Sequence, residues 1–167
     1  TLVSGRTAIA PPPFVKVVPV VTARDMYEAV TAVSKEQDII IKAAAVADYT
    51  PVTVNTEKTK KKEGEASIAL KRTTDILSWL GEHKEKGQFL CGFSMETENM
   101  LENSKKKLEK KHADMIVANN LKVAGAGFGT DTNVVTLITK EGEKELPIQT
   151  KDEVSYEILN EIMNKMA

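Results

Sequence analysis

The small-residue run Ala43-Ala44-Ala45-Val46-Ala47 ends in one carboxylate, Asp48, and a lysine-rich stretch with Lys58, Lys60, Lys61 and Lys62 follows it. Small side chains let a ligand approach the backbone, and an acid at the end of such a run is placed to meet it. Lysines on a flexible segment could close over a phosphate, shielding a reaction and offsetting its charge. Both features also have plainer readings: a buried strand followed by a turn-starting Asp, and a solvated basic loop. Further along, Lys107 and Lys111 lie four apart and so share one helix face, with Lys110 beside them. They could hold the tail of an anionic ligand, or form a solvated face with Glu102 and Glu109. Asp75 follows Thr73-Thr74 at a predicted helix start, where an acid either favours the helix dipole or meets a ligand.

Other chemistries lack parts. Gly125-Ala126-Gly127-Phe128-Gly129 imitates a dinucleotide loop, but a hairpin strand follows it where the fingerprint needs a helix and then an acid. It reads as a tight structural loop, its turns fixed by Asp131 and Asn133. His83 and His112 are far apart on predicted helices, with no Cys pair and no His-x-x-x-His spacing, so each reads as a surface histidine. Cys91 sits in an apolar strand and reads as an inert core thiol. A reductase on the same fold would want Tyr-x-x-x-Lys, yet Tyr27, Tyr49 and Tyr156 are followed four residues later by Thr31, Thr53 and Asn160.

The elements that must hold these residues alternate between strand and helix. Thr1 to Gly5 reads as the second half of a strand, and Val15 to Val21 as a strand whose Pro19 suits an edge. Thr22 with Asp25 caps a helix carrying Met26, Ala29, Val30 and Val33. Residues 38 to 47 are expected as a strand buried on both faces, and 50 to 66 as a mobile lysine flap. Ser67 to Lys71 is a short strand, after which Thr73 or Thr74 caps a helix through Ile76, Leu77 and Leu80. Phe89 to Phe93 is buried strand. Thr97 opens a helix with Met100, Leu101, Ser104 and Leu108 inward. Asp114 to Ala118 is the last clear parallel strand. Asn133 to Thr139 and Lys144 to Ile148 flank a Glu141-Gly142 turn, and Thr150 caps a final helix through Val154, Ile158, Leu159, Ile162 and Met163. The alternation implies an α/β fold: a Rossmann-like three-layer α/β/α sheet, mostly parallel, with an appended β-hairpin.

With 167 residues and 41% hydrophobic content, one core and one domain are expected. A net charge of −1 gives no global attraction to nucleic acid or anionic membrane. The single cysteine leaves no internal disulfide, which suits a reducing cytoplasm. No run approaches the ~20 apolar residues of a membrane span.

Six segments occur in one order: Ala43-Ala44-Ala45-Val46-Ala47-Asp48-Tyr49, Glu57-Lys58-x-Lys60-Lys61, Thr74-Asp75-Ile76-Leu77, Gly92-Phe93-x-x-Glu96-Thr97, Ala118-Asn119-Asn120 and Gly127-Phe128-Gly129-x-Asp131-x-Asn133. The set resembles the phosphopantothenate-cysteine ligase family, also called phosphopantothenoylcysteine synthetase, along the whole chain. The resemblance implies ligation of cysteine to 4′-phosphopantothenate through an acyl cytidylate, with CTP as co-substrate, Mg²⁺ as cofactor and a homodimer as the assembly. Bacterial members use CTP and eukaryotic ones generally ATP. Many bacterial members are fused behind a flavin-dependent decarboxylase, whose FMN would lie outside this chain.

By position, the resemblance makes Lys42, Ala43, Ala44 and Asp48 nucleotide contacts, with Asp48 also holding the metal. Lys58 becomes the catalytic and nucleotide-binding flap lysine. Thr74, Asp75, Ile76, Leu77, Phe93, Lys107 and Lys111 complete the nucleotide set. The chemistry is consistent with these roles: charge at a reacting phosphorus needs cations, and an acyl cytidylate must be kept from water. Two departures stand out. Thr74 replaces the family's usual proline. The family's first strand, glycine-rich phosphate loop and an asparagine for the acyl intermediate would precede Thr1, so the expectation is a ligase domain lacking those parts. The alternative is an incomplete fragment that keeps only a nucleotide-binding or dimerisation surface, the latter on the 133–148 hairpin.

Overall fold

The computed structural model describes residues 1–60, 63–96, 99–120 and 129–167. The chain divides into two compact units, Thr1–Val30 with Ala45–Asp75, and Thr31–Ala44 with Ile76–Ala167.

In the first unit, β1 (Leu2–Ser4) and β2 (Val17–Pro19) form a parallel pair, with Leu2 opposite Val17. Helix α1 (Ala23–Val33) starts in this unit, and its predicted cap is present. The Asp25 amide donates to Thr22 Oγ1 at 3.0 Å and the Thr22 amide donates back to Asp25 Oδ2 at 2.9 Å. The bond from the Thr22 amide, followed by one from the Thr22 side chain, holds the Asp25 carboxyl below its ordinary value. A ribbon of β4 (Tyr49–Pro51) and β5 (Leu70–Arg72), antiparallel with Tyr49 opposite Arg72, closes the unit. The expected flap therefore begins inside a strand. Its described residues from 52 to 66 have no regular structure, Lys61 and Lys62 lie outside the described residues, and β5 starts three residues later than the strand expected at Ser67.

The second unit is built on a mixed five-stranded sheet of order β10-β9-β7-β6-β3. Strands β3 (Ile39–Lys42), β6 (Phe89–Glu96) and β7 (Met115–Asn120) run parallel, while β9 (Val135–Thr139) and β10 (Glu143–Glu145) are antiparallel additions. The Met-Ile-Val-Ala run of β7 is buried without alternation, as a strand covered on both faces requires. One face, through Phe89, Cys91, Met115, Val117, Val135 and Leu137, packs with Val154, Ile158 and Ile162 of α4 (Lys151–Met166). The other face carries α2 (Ile76–Glu82), whose Leu77 lies over Gly92, and α3 (Met100–Lys110), whose Ser104 hydroxyl meets that of Ser94 at 2.6 Å. Helix α4 opens on the expected Thr150 cap, which proves to be a full capping box: Thr150 Oγ1 accepts from the Glu153 amide and Glu153 Oε2 from the Thr150 amide. Short strands β8 (Thr132–Asn133) and β11 (Gln149–Thr150) pair antiparallel at the root of the hairpin.

Several expectations are corrected. The strand expected over 38–47 ends at Lys42, lies at the edge of its sheet, and has Ile41 40% exposed; Ala43, Ala44, Ala45 and Ala47 are exposed and outside regular structure. Alanine gains too little from burial to hold a chain in a sheet without partners. The hairpin is not an appendage, because β9 pairs directly with β7 and continues the sheet. Leu101, Leu159 and Met163 face outward, since the inward stripe of each helix is narrower than the apolar sequence pattern. Asp75, not a threonine, directly precedes α2. Thr97 and the glycines at 125 and 127 lie outside the described residues.

Candidate functional site

In open α/β sheets ligands meet the carboxyl ends of the parallel strands, and in the second unit those ends are Lys42 on β3, Glu96 on β6 and Asn120 on β7. Lys42 stands in register with Gly92, and its Nζ donates to the Ala44 carbonyl at 2.6 Å, folding the side chain over the exposed alanine turn. Next along β6 is half-buried Phe93, whose carbonyl accepts a 3.4 Å bond from Lys107 Nζ. Lys111 Nζ donates to Ser78 Oγ on α2 at 2.8 Å. Lys105 pairs with Glu143 and Lys106 with Glu102 as a solvated face would, whereas Lys107 and Lys111 are half-buried and turn toward β6 and α2.

Two glycines make that arrangement possible. A Cβ on Gly81 would sit 1.9 Å from the Lys111 carbonyl oxygen, so α2 approaches the end of α3 backbone to backbone. A Cβ on Gly92 would meet Leu77 Cδ2 at 2.6 Å. Ile76 and Leu77 are only 2% and 4% exposed, so they can offer a ligand main-chain groups but not side chains.

The first unit holds the acids and the flap lysine. Asp48 is exposed at the foot of β4, and its carbonyl accepts from the Thr73 amide at 2.9 Å. Thr73 Oγ1 donates to the preceding carbonyl, Ala47, at 2.7 Å, and the Arg72 guanidinium lies 6.0 Å over the Tyr49 ring. The ribbon therefore brings Asp48 beside the chain that leads into Thr74 and Asp75, both exposed. Lys58 is exposed on the irregular segment between β4 and β5, where Asn55 Nδ2 bonds Thr59 Oγ1 at 3.1 Å. No hydrogen bond or ion pair among the described residues ties Lys58 to Asp48.

Among the described residues no group of three His, Cys, Asp or Glu could cage a metal. A hard cation that keeps its waters and binds through one carboxylate plus substrate phosphates needs no cage, and the exposed Asp48 fits that donor set. The remaining candidates are structural. Burial, with the Asp114 charge second, pushes the Cys91 thiol up to about 12, so it stays protonated and inert. His83, stacked on Trp79, and His112 are exposed just past the ends of α2 and α3. Sequence reasoning missed Ser78 and Gly81 as partners of Lys111, and Thr73 as a strand tether. The neighbouring Thr73-Thr74 pair carried a signal, since only one of the two could cap the helix.

A family model described as the DNA/pantothenate metabolism flavoprotein C-terminal domain matches residues 1–166. The chain is 51% identical over 163 residues to the coenzyme A biosynthesis bifunctional protein CoaBC of Bacillus subtilis, covering 96% of this chain and 40% of that protein. It is 42% identical over 165 residues to a cysteine/cysteine sulfinic acid decarboxylase from an unidentified prokaryote, covering 98% of this chain and 46% of that protein. Among solved structures, the crystal structure of the C-terminal domain of a coenzyme A biosynthesis bifunctional protein CoaBC superposes with a TM-score of 0.81 at 48% identity, covering 99% of this chain and 75% of that one. The chain spans less than half the length of these curated relatives. It belongs to the DNA/pantothenate metabolism flavoprotein C-terminal domain family.

Proposed function

We propose that this chain is a phosphopantothenate-cysteine ligase domain on a Rossmann-like three-layer fold, coupling cysteine to 4′-phosphopantothenate at the expense of CTP. The observation that carries the reading is the 51% identity to a bifunctional coenzyme A biosynthesis protein, within a family match that takes in every residue assigned to the nucleotide. In the proposed reaction the carboxylate of 4′-phosphopantothenate attacks the α-phosphorus of CTP and pyrophosphate leaves. The amine of cysteine then attacks the acyl carbon of the acyl cytidylate, CMP leaves and the amide remains.

The chain's own residues divide the work by chemistry. Lys58, on the flap, neutralises charge that builds on the α-phosphate, and the flap keeps water from the acyl cytidylate. Lys42, Lys107 and Lys111 hold the anionic nucleotide, and their bonds to the Ala44 and Phe93 carbonyls and the Ser78 hydroxyl help position them before it arrives. Ala43 and Ala44, Ile76 and Leu77 contribute main-chain contacts; Phe93, Thr74 and Asp75 are the remaining nucleotide contacts. Asp48 holds Mg²⁺, which supplies further charge neutralisation at the phosphates. FMN belongs to a fused decarboxylase outside these residues, and the working form is a cytoplasmic homodimer. No helix among the described residues is long and apolar enough to cross a membrane.

The test is Lys58→Ala in the full-length protein. Ligation falls by about 10²–10³-fold, the range for loss of one preorganised transition-state contact, while the melting temperature stays put because Lys58 is exposed. Ligation at the normal rate removes Lys58 from the chemistry.

A further inference from the structure

We propose that Thr73 is a positioning residue that fixes Asp48 by locking the root of the β4–β5 ribbon. The inference rests on the reading of Asp48 as the Mg²⁺-nucleotide carboxylate. Asp48 stands where an exposed, irregular stretch meets a strand of three residues, so little packing holds its backbone. Thr73 supplies what is missing from a single residue. Its amide donates to the Asp48 carbonyl at 2.9 Å and its hydroxyl to the Ala47 carbonyl at 2.7 Å, clamping both peptide units that flank the Asp48 Cα.

The register explains why the clamp falls there. Tyr49–Pro51 pairs with Leu70–Arg72, and the Val52 amide bonds the Ala69 carbonyl, so the ladder runs from the flap down to Tyr49 opposite Arg72. Thr73 extends it by one backbone bond and then adds a side-chain bond that an ordinary ladder residue could not make. A β-branched side chain has few rotamers, so the hydroxyl stays aimed once the backbone is set. Thr73 is half-buried, whereas Lys71, Arg72 and Thr74 around it are exposed. The segment bearing Lys58 leaves from the other end of the same ribbon, so the clamp acts on the carboxylate and not on the lysine.

The experiment compares Thr73→Val, Thr73→Ser, Asp48→Asn and Asp48→Asn/Thr73→Val in the full-length protein, measuring kcat and KM for CTP across a Mg²⁺ titration. Thr73→Val keeps the branched shape and loses the hydroxyl; Thr73→Ser keeps the hydroxyl; Thr73→Ala serves if the valine variant does not fold. We expect Thr73→Val to raise the KM for Mg²⁺-CTP about tenfold, with excess Mg²⁺ recovering most of it. Thr73→Ser should stay near the parent, and Thr73→Val should add nothing in the Asp48→Asn background, as coupled residues require. An unchanged KM in Thr73→Val beside an impaired Asp48→Asn overturns the positioning role alone. Additive effects in the double variant, or a serine variant as poor as the valine one, overturn it as well. An unimpaired Asp48→Asn overturns both the positioning role and the assignment of Asp48.

Discussion

Replacing Gly81 by alanine sets two rules against each other. Gly81 lies in the last turn of α2, and alanine is favoured over glycine in a helix by about 0.5–1 kcal/mol. Propensity alone therefore predicts a more stable protein. The structure predicts the reverse, because the new Cβ would lie 1.9 Å from the Lys111 carbonyl oxygen, 2.9 Å from its carbon and 3.1 Å from His112 Cβ. Two of those atoms are backbone at the end of α3 and cannot rotate away, so α2 and α3 must separate. Overpacking of a fitted core typically costs about 1–3 kcal/mol, and a rigid obstacle puts this site at the upper end. Net of propensity, the loss is about 2 kcal/mol, or roughly 4–8 °C in melting temperature for a chain of this size. Thermal and urea unfolding of Gly81→Ala against the parent would measure it. The shift should also weaken nucleotide binding, since the displaced residue is the one whose Nζ reaches Ser78. A variant as stable as the parent, or more so, refutes the close approach of α2 and α3.

Ser104→Ala should cost about 1–3 kcal/mol by leaving the buried Ser94 hydroxyl unpaired, and Ser94→Ala/Ser104→Ala should cost less than the two single changes added, as urea unfolding will tell. Lys107→Ala and Lys111→Ala should each raise the KM for CTP about tenfold, whereas Lys106→Ala, which breaks only an exposed pair with Glu102, should leave it unchanged. Asp25 and Glu153 are held below the ordinary carboxylate range, first by the Thr22 and Thr150 amides that donate to them. Because their folded values are the lower ones, their stabilisation is present above the ordinary carboxylate range and is lost as the pH falls through the depressed values. Melting temperature should therefore decline below about pH 4, with a shallower decline in Asp25→Asn/Glu153→Gln; an identical slope in that variant would refute the capping account.

What the sequence made legible was whatever depends on neighbours along the chain. The boxes at Thr22 and Thr150 follow from a hydroxyl and an acid three residues apart, and the Glu141-Gly142 turn from glycine's freedom at φ 153°. The β7 run declares itself because a short continuous apolar run centred on the β-branched Ile116 and Val117 suits a strand covered on both faces. The end of β3 was not legible, since a run of alanines looks alike whether it lies in a sheet or leaves one. Helix stripes gave the inward residues Leu108 and Ile158 correctly but not the limits of the buried face at Leu101 and Met163. Within the candidate site, spacing put Lys107 and Lys111 on one helix face, and only the family resemblance added Lys42 and gave the lysines a role. Their partners could not be read in this way, because Lys111 to Ser78 and Thr73 to Ala47 join residues distant in sequence.

The order of strands in the five-stranded sheet also bears on how the protein assembles. From β7 onward each added strand comes from the next stretch of chain, so β7, β9, β10 and α4 can associate through short-range closures. Strand β3 differs: its partner β6 lies beyond the whole of residues 45–75, which form part of the other unit. Closing that longer connection costs roughly 1 kcal/mol more than the β7-to-β9 one, and nonlocal pairings of this kind form late. Lys42 is the last residue of that strand. The carboxyl end of β3 is thus set by the most nonlocal pairing in the sheet, and anything that binds Lys42 favours that pairing.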